Sequence, residues 1–499
     1  MGAPQTVGVV GAGTMGAGIA QVVAAAGHPV LFFDTLPGLA GQAKERIATA
    51  LQKAVEKGRL TAGARSALLA NILPCAGITA LAPAQLVIEA IIEDSAAKRR
   101  LFQDLEALVA PEAILATNTS SLAVTELAAT LARPARFAGL HFFNPAPLMP
   151  LVEVVAGEAT APAVLETLEQ LTRAWGKSPV RCKDSPGFIV NRGARPFYNE
   201  ALRFLEEGGA EAATIDSLIR AAGFRMGPLE LVDLVGLDVS LAVSRSMAQA
   251  CGNDARYQPS RLIEEQVAAG QLGRKSGRGF YDYTGEPKPL AKVLVPGTSP
   301  VVVTAHGGLG PAHALLALWR AKGFDLLAQA GEDSCLEVAG VRVALTDGRT
   351  AAERAAEDGE EWVVFDLSLD YASGGHIALA ASEGAMADVS IVAGLFQALG
   401  KKVSLVRDLP GLLVARTLTM LMNEAADTVG RGVAPAPDVD LAMRQGLNFP
   451  GGPLSWADNV GAGYAVKLID HLAQRYGTER YRVSELLRRR ARDGGKFHA

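Results

Sequence analysis

The sequence predicts an α/β domain followed by a mostly α domain, then a partial α/β domain and a second copy of the α domain. Three observations predict this order. Short apolar runs of strand length alternate with helical segments through the N-terminal third; from Pro186 the hydrophobic spacing becomes helical; and a block of that helical part recurs later in the chain. At 499 residues the chain has room for three or four domains of roughly 150 residues. Hydrophobic residues make up 49% and charged residues 20%, a balance that supports packed interiors and excludes a disordered or fibrous chain. Lys+Arg minus Asp+Glu is 48 − 52 = −4, without a long basic run, so nucleic acid and membrane surfaces are not expected partners. Cys75, Cys182, Cys251 and Cys335 form no CxxC pair, so neither a disulfide framework nor a metal site is expected, and a reducing compartment fits. The start MGAPQTVGVVGAG lacks the features of a signal peptide, and no apolar run reaches about 18 residues; the expected localisation is cytoplasmic.

Thr6 to Val10 is a β-branched run ending in Gly11-Ala12-Gly13-Thr14-Met15-Gly16, followed by an Ala-rich helical stretch to Ala26. Strand, glycine turn and helix in this order read as a Rossmann-type dinucleotide site. Gly11 makes the tight turn, Gly13 lets the backbone approach a pyrophosphate, and Gly16 lets the helix pack closely on the strand. The helix N-terminus, with Thr14 and Met15, faces the phosphates. A second strand, Val30 to Phe33, ends at Asp34, placed to receive a ribose diol. Its carboxylate would repel a 2′-phosphate, and Thr35-Leu36-Pro37 offers no arginine to receive one, which favours NAD over NADP; FAD stays open from the motif alone.

Further apolar runs at 86–90, 114–118 and 137–140 indicate a parallel sheet covered on both faces. Ligands sit beyond the carboxyl ends of such strands, and those ends read Glu93, Asn118-Thr119-Ser120-Ser121 and His141-Phe142-Phe143-Asn144-Pro145. In Leu151-Val152-Glu153-Val154-Val155 one carboxylate interrupts an apolar strand and needs a partner. Across the intervening Asn-Pro turn, His141 and Glu153 can meet as a base and its orienting carboxylate. The alternative for His141 alone is a hydrogen-bonded core histidine.

The segments VGVVGAGTMGAGIA, ATNTSSL, GLHFFNPAPLMPLVEVV and KDSPGFIVNR resemble, in order over residues 5–285, those of the L-3-hydroxyacyl-CoA dehydrogenase family. The resemblance implies an acyl-CoA substrate, NAD as cofactor, His141 as general base for the 3-hydroxyl and Glu153 holding its imidazole. Ser120 and Asn191 would hydrogen-bond substrate oxygens; otherwise Ser120 caps the following helix and Asn191 caps or braces one. Glu93 and Lys98 match family positions near the cofactor, with a solvated charge pair as the alternative, and Asn118 is expected there too.

The expected domains are 1–184, binding NAD; 185–285, helical and closing over the acyl chain; 295–400, a degenerate Rossmann-like unit; and 405–499, the helical repeat. A linker is marked by Glu286-Pro287-Lys288-Pro289. Gly176-Lys177 and Asp184 to Arg192 recur as Gly400-Lys401 and Asp408 to Arg416, an offset of 400 − 176 = 224. Asn191 becomes Ala415 in the second copy. The middle unit reads as Val301 to Val303, Gly307-Gly308-Leu309-Gly310, a helix from Ala312 to Ala321, and Trp362 to Asp366. It lacks GxGxxG and any counterpart of HFFNP or LVEV, and despite His306, His313 and His376 it is assigned no redox site. The second helical copy is expected to pair internally with the first as a pseudo-dimer, with further oligomerisation open. The length and the duplication resemble long bacterial family members, which implies 3-hydroxyadipyl-CoA in phenylacetate degradation as substrate. 3-Hydroxybutyryl-CoA is the rival, with Arg195 and Arg225 considered for a distal carboxylate. A non-catalytic nucleotide-binding or structural protein is the alternative of another class.

Overall fold

The computed structural model describes residues 5–285, 288–299, 302–329 and 334–498; Val301 and the linker residues Glu286 and Pro287 lie outside them. The chain groups into two compact units, one containing residues up to Arg192 with Gly432–Leu447, the other Gly193–Arg431 and the chain from Asn448.

The first unit is built on an eight-stranded sheet. Its strands are β1 (Val7–Val10), β2 (Val30–Phe33), β3 (Ile72–Pro74), β4 (Leu86–Glu89), β5 (Ile114–Thr117), β6 (Phe137–Phe142), β7 (Leu151–Ala156) and β8 (Ser178–Lys183), in the order β3-β2-β1-β4-β5-β6-β7-β8. All neighbours are parallel except β6 and β7. β1, β4 and β5 are buried along their whole length, as continuous apolar runs covered on both faces must be. Strand order reverses between β1 and β4, which opens a crevice at their carboxyl ends. The helix Leu39–Glu56 buries only the stripe Ala40, Ala43, Ile47 and Leu51, spaced by three or four residues as one helical face requires.

One helix of the C-terminal repeat belongs to this unit. Ala436–Leu447 packs on β7 and β8, and Lys183 donates its N–H to the Val433 carbonyl at 2.8 Å. Contact at the end of the helix is close because residue 446 is glycine: a Cβ there would lie 2.8 Å from Leu151 Cδ2 and 3.0 Å from Val190 Cγ2.

In the second unit the two helical copies pack through Arg195–Glu206 and Val414–Gly430. Arg416 is fully buried there and donates to Glu200 at 2.6 Å. The apolar stretch from Leu229 to Leu241 is shared by two helices, Pro228–Val235 and Leu237–Ala250. The break is Gly236, at φ 103°, a conformation that ends a right-handed helix and that glycine adopts without steric cost.

The middle segment forms a seven-stranded sheet, in the order β10-β9-β11-β12-β13-β14-β15. These strands are β9 (Val302–His306), β10 (Asp325–Gln329), β11 (Cys335–Val338), β12 (Val341–Leu345), β13 (Trp362–Phe365), β14 (His376–Ala381) and β15 (Lys402–Leu405). The helix after β9 starts at Ala314 rather than at Ala312, behind a short turn over Gly310–Ala312. The helix Ala212–Ala221 packs on β14; its counterpart 224 residues on is Ala436–Leu447, which packs on β7. Among the described residues no helix is long and apolar enough to cross a membrane.

Candidate active site

The glycine loop leaves β1 with Gly11 at φ 103°, where a Cβ would lie 2.4 Å from the Ala90 carbonyl oxygen. A Cβ on Gly16 would come within 1.7 Å of the Gly11 oxygen, whereas one on Gly13 would meet nothing within 4 Å. Gly11 and Gly16 therefore serve packing, and Gly13 borders open space. The helix Thr14–Ala25 starts there with no side-chain cap, so its first N–H groups, at Thr14, Met15 and Gly16, have no competitor for an anion. Asp34, at the end of β2, accepts from Ala12 N at 2.7 Å and from Leu36 N at 2.9 Å. These residues fit the diphosphate and ribose of a dinucleotide. Sequence reasoning missed Arg46, which reaches the loop from the helix Leu39–Glu56 and donates to the Ala12 carbonyl at 3.2 Å.

Beyond β4 lies a charged cluster that organises the turn after β5. Lys98 is 1% exposed, with its ammonium 2.5 Å from Glu89 and 3.2 Å from Glu93, so the cation is withdrawn from water while Glu93 stays 37% exposed. Glu89, also missed from the sequence, accepts from Thr117 Oγ1 at 2.7 Å; its signal was a carboxylate closing an apolar strand. Glu93 accepts from Thr119 Oγ1, Ser120 N, Ser121 N and Ser121 Oγ between 2.6 and 3.2 Å. Burial pushes the Glu93 carboxyl up, but the Lys98 charge and these hydrogen bonds outweigh it and hold it below its ordinary value. Ser120 caps no helix, since the next one has Ala123 at its N-cap. Its hydroxyl has only a 3.5 Å approach to Glu93. Asn118 accepts from Phe142 N at 2.8 Å, which ties the end of β5 to β6.

The antiparallel register sets His141 directly opposite Glu153, and His141 Nδ1 lies 2.7 Å from Glu153 Oε2. Both are buried, at 6% and 0% exposed. The other carboxylate oxygen accepts from Ile189 N at 2.9 Å and Val190 N at 3.0 Å. An ionised carboxylate only accepts, so a neutral imidazole in this contact donates through Nδ1 and keeps the lone pair on Nε2. The ring packs against Phe143 and Phe188, with centroids at 4.5 and 5.8 Å. Asn191 Nδ2 donates to the Ser120 carbonyl at 3.4 Å. The 189–191 segment is thus bound to Glu153 at one end and to the Ser120 turn at the other, which draws Ser120, His141, Glu153 and Asn191 together. Among the described residues no group of three or more His, Cys, Asp or Glu side chains is placed to hold a metal.

The same scaffold in the second copy carries different groups. β14 pairs Ala378 with Ser404, as β7 pairs Glu153 with Val180, 404 − 180 = 224 residues earlier. Across from Ala378 stands Asp366, whose N–H donates to the Ala378 carbonyl at 3.0 Å. Asp366 therefore occupies the position of His141, and Ala378 that of Glu153. The Asp366 carboxylate accepts from Leu413, Val414 and Ala415 N at 2.8 to 3.0 Å, which takes over the capping that Glu153 provides and leaves no imidazole. Burial outweighs these bonds and pushes its carboxyl up to about 6. The loop after β12 is also covered: Tyr464 Oη donates to the Thr346 carbonyl at 2.7 Å, and Lys467 pairs with Asp347 at 3.2 Å.

Comparison with known proteins accounts for both copies. Residues 6–185 match the NAD-binding domain of 3-hydroxyacyl-CoA dehydrogenase. The C-terminal domain of that enzyme matches twice, at 187–283 and 411–496, and residues 343–410 match the reduced Rossmann-fold domain of 3-hydroxybutyryl-CoA dehydrogenase. A 3-hydroxyadipyl-CoA dehydrogenase of Escherichia coli (strain K12) is 42% identical over 98% of this chain and 97% of its own length. The chain belongs to the 3-hydroxyacyl-CoA dehydrogenase family. It is of the long form with a duplicated C-terminal domain, and the family is NAD-dependent. A solved 3-hydroxybutyryl-CoA dehydrogenase from E. coli K12 shares the fold over 98% of both chains, with a TM-score of 0.90 and 41% identity. A shorter relative, a probable 3-hydroxybutyryl-CoA dehydrogenase of Deinococcus radiodurans, is 45% identical over 55% of this chain and 99% of its own. As a 3-hydroxyacyl-CoA dehydrogenase the chain therefore has a full short enzyme in its first half, with the second half added to it.

Proposed function

We propose that this dehydrogenase converts an L-3-hydroxyacyl-CoA reversibly to the 3-oxoacyl-CoA at one site per chain, and that its physiological substrate is 3-hydroxyadipyl-CoA, in phenylacetate degradation in the cytoplasm. The observation that carries the reaction is the buried Glu153–His141 pair, which leaves Nε2 as a proton acceptor. His141 Nε2 takes the 3-hydroxyl proton, and the Glu153 carboxylate stabilises the imidazolium that results. In the reducing direction the same group returns the proton. Ser120 Oγ and Asn191 Nδ2 donate to the substrate oxygens. NAD, when bound, supplies the hydride acceptor. The N–H groups at Gly13, Thr14, Met15 and Gly16 hold its diphosphate behind the turn at Gly11, and Asp34 holds the ribose. Glu93, Lys98 and Asn118 border the cofactor and act through the turn they fix. The second helical copy serves as an internal partner, as in a dimer within one chain.

The choice of substrate rests on full-length likeness to the E. coli 3-hydroxyadipyl-CoA dehydrogenase. The solved 3-hydroxybutyryl-CoA dehydrogenase of the same length favours the four-carbon substrate. Of the cations considered for a distal carboxylate, Arg195 is buried, hydrogen-bonded to Ser244 at 3.2 Å and 5.2 Å from the Tyr198 ring, while Arg225 is exposed. NADH absorbance followed with 3-hydroxyadipyl-CoA and 3-hydroxybutyryl-CoA decides between them. A kcat/KM at least tenfold higher for the six-carbon acid supports the proposal; the reverse order assigns the four-carbon substrate, and no NADH with either removes the catalytic reading.

A further inference from the structure

Away from the glycine loop and the His141 pair, the second unit contains a concavity lined by three arginines, of which Arg261 pairs with Glu265 at 3.4 Å. A cleft of about 370 Å³ opens beside the helix Arg195–Glu206, the segment leading into the helix Arg261–Ala268, and the turn Glu479–Tyr481. Arg203, Arg261 and Arg480 line it, together with Gln258, Ser260 and one carboxylate, Glu206. Glu206 is already engaged, accepting from Ser260 Oγ at 3.0 Å and Leu262 N at 3.2 Å.

The acids behind the cleft are occupied as well. Glu200 accepts from Arg416 at 2.6 Å and Tyr481 Oη at 3.0 Å. Glu207 accepts from Arg416 at 3.1 Å and Tyr476 Oη at 2.8 Å. Arg203 lies over the rings of Tyr476 and Tyr481, at 5.3 and 5.9 Å, and approaches Glu207 no closer than 3.8 Å. Its buried Nη1 has no hydrogen-bond partner among the described residues. The Arg480 guanidinium likewise has no carboxylate in ion-pair contact among them. Burial holds Arg480 below its ordinary value, with Arg203 and Arg416 adding to the effect against the pull of Glu200. A guanidinium with no carboxylate in contact among the described residues, beside a second whose ion pair is as long as 3.8 Å, suits a tetrahedral oxyanion, which accepts from the forked N–H groups.

We infer that this cleft binds a small phosphoryl anion of the phosphate or pyrophosphate class, held between Arg203 and Arg480. Arg203 belongs to the first helical copy and Arg480 to the second, so the bound anion ties the two copies together. It acts on stability and not on the chemical step.

The test is titration calorimetry of the full chain with inorganic pyrophosphate, phosphate and citrate at matched ionic strength, with saturating NAD present to occupy the glycine loop. Thermal melts are recorded alongside. The inference expects one pyrophosphate per chain, binding more tightly than phosphate or citrate and raising the melting temperature. Arg480→Gln should weaken it at least tenfold while leaving turnover unchanged. Gln258→Glu, which adds a negative charge at the rim without touching the buried cluster, should weaken it too. Absence of binding beyond the sodium chloride control, or equal binding by both variants, overturns the site. Citrate binding as tightly as pyrophosphate overturns the phosphoryl assignment.

Discussion

One carboxylate, Glu153, holds the imidazole of His141, the proposed base, and also caps the backbone at Ile189 and Val190. Glu153→Ala would leave two buried N–H groups unpaired, at about 1–3 kcal/mol each, and would confuse folding with chemistry. Glu153→Gln separates them. Its oxygen can keep the two N–H bonds, but its amide then donates to Nδ1, which puts the imidazole proton on Nε2 and removes the acceptor. Turnover should fall about 10²–10⁴-fold, the range for a positioned acid–base group, while the melting temperature stays near that of the parent; a rate within twofold of the parent would take Glu153 out of the mechanism. At the other end of the site, Asp34→Ala should raise the KM for NAD and spare turnover at saturation. If NADP proves the better cofactor of the unmodified protein, Asp34 does not select NAD.

At the scale of elements, two contacts carry measurable consequences. Gly446→Val places a branched side chain where a Cβ already meets Leu151 and Val190 at 2.8 and 3.0 Å. Overpacking of this kind costs about 1–3 kcal/mol, and because Val190 is capped by Glu153, activity should fall with stability in denaturant titrations. On β14, His376 lies between Ser217 Oγ at 2.9 Å and Ser404 Oγ at 2.8 Å, and burial, with the Lys402 charge, pushes its pKa down to about 4. Between about 4 and the ordinary 6.5 the unfolded chain takes up a proton that the folded one refuses, so this group's contribution is lost as pH falls through that window. His376→Gln should flatten the acid limb of the stability curve; an unchanged limb would assign acid loss elsewhere. The strands and the His141–Glu153 pairing were legible because a lone acid in an apolar strand needs a partner and the intervening turn allows one. The docking of Ala436–Leu447 on β7 and β8 was not, since helical periodicity identifies an apolar face but not the sheet that receives it. Glu89 and Arg46 escaped for a similar reason: their meaning lies in contacts 9 and 34 residues away.

Over the whole molecule, the repeat keeps scaffold and loses chemistry. Asp184 and Asp408 both cap the helix start across from them, through Thr125 N at 2.8 Å in one copy and Ala351 N at 2.9 Å in the other, yet Asp366, Ala378 and Ala415 stand in place of His141, Glu153 and Asn191, the proposed base, its carboxylate and the amide. Ala415→Asn should therefore gain no activity, because restoring one donor returns neither the imidazole nor an open loop after β12. Deleting 405–499 would uncover β7, β8 and the helix Arg195–Glu206, and should produce aggregation or self-association in sedimentation; a monomeric, stable and fully active truncation would contradict the role given to the second copy. The central claim, one catalytic site and one base per chain, is tested most directly by His141→Ala. The account predicts NADH formation from a 3-hydroxyacyl-CoA reduced about 10²–10⁴-fold, with one NAD still bound per chain at near parental affinity. Retention of about half the parental rate, or a second NAD bound per chain, would contradict it.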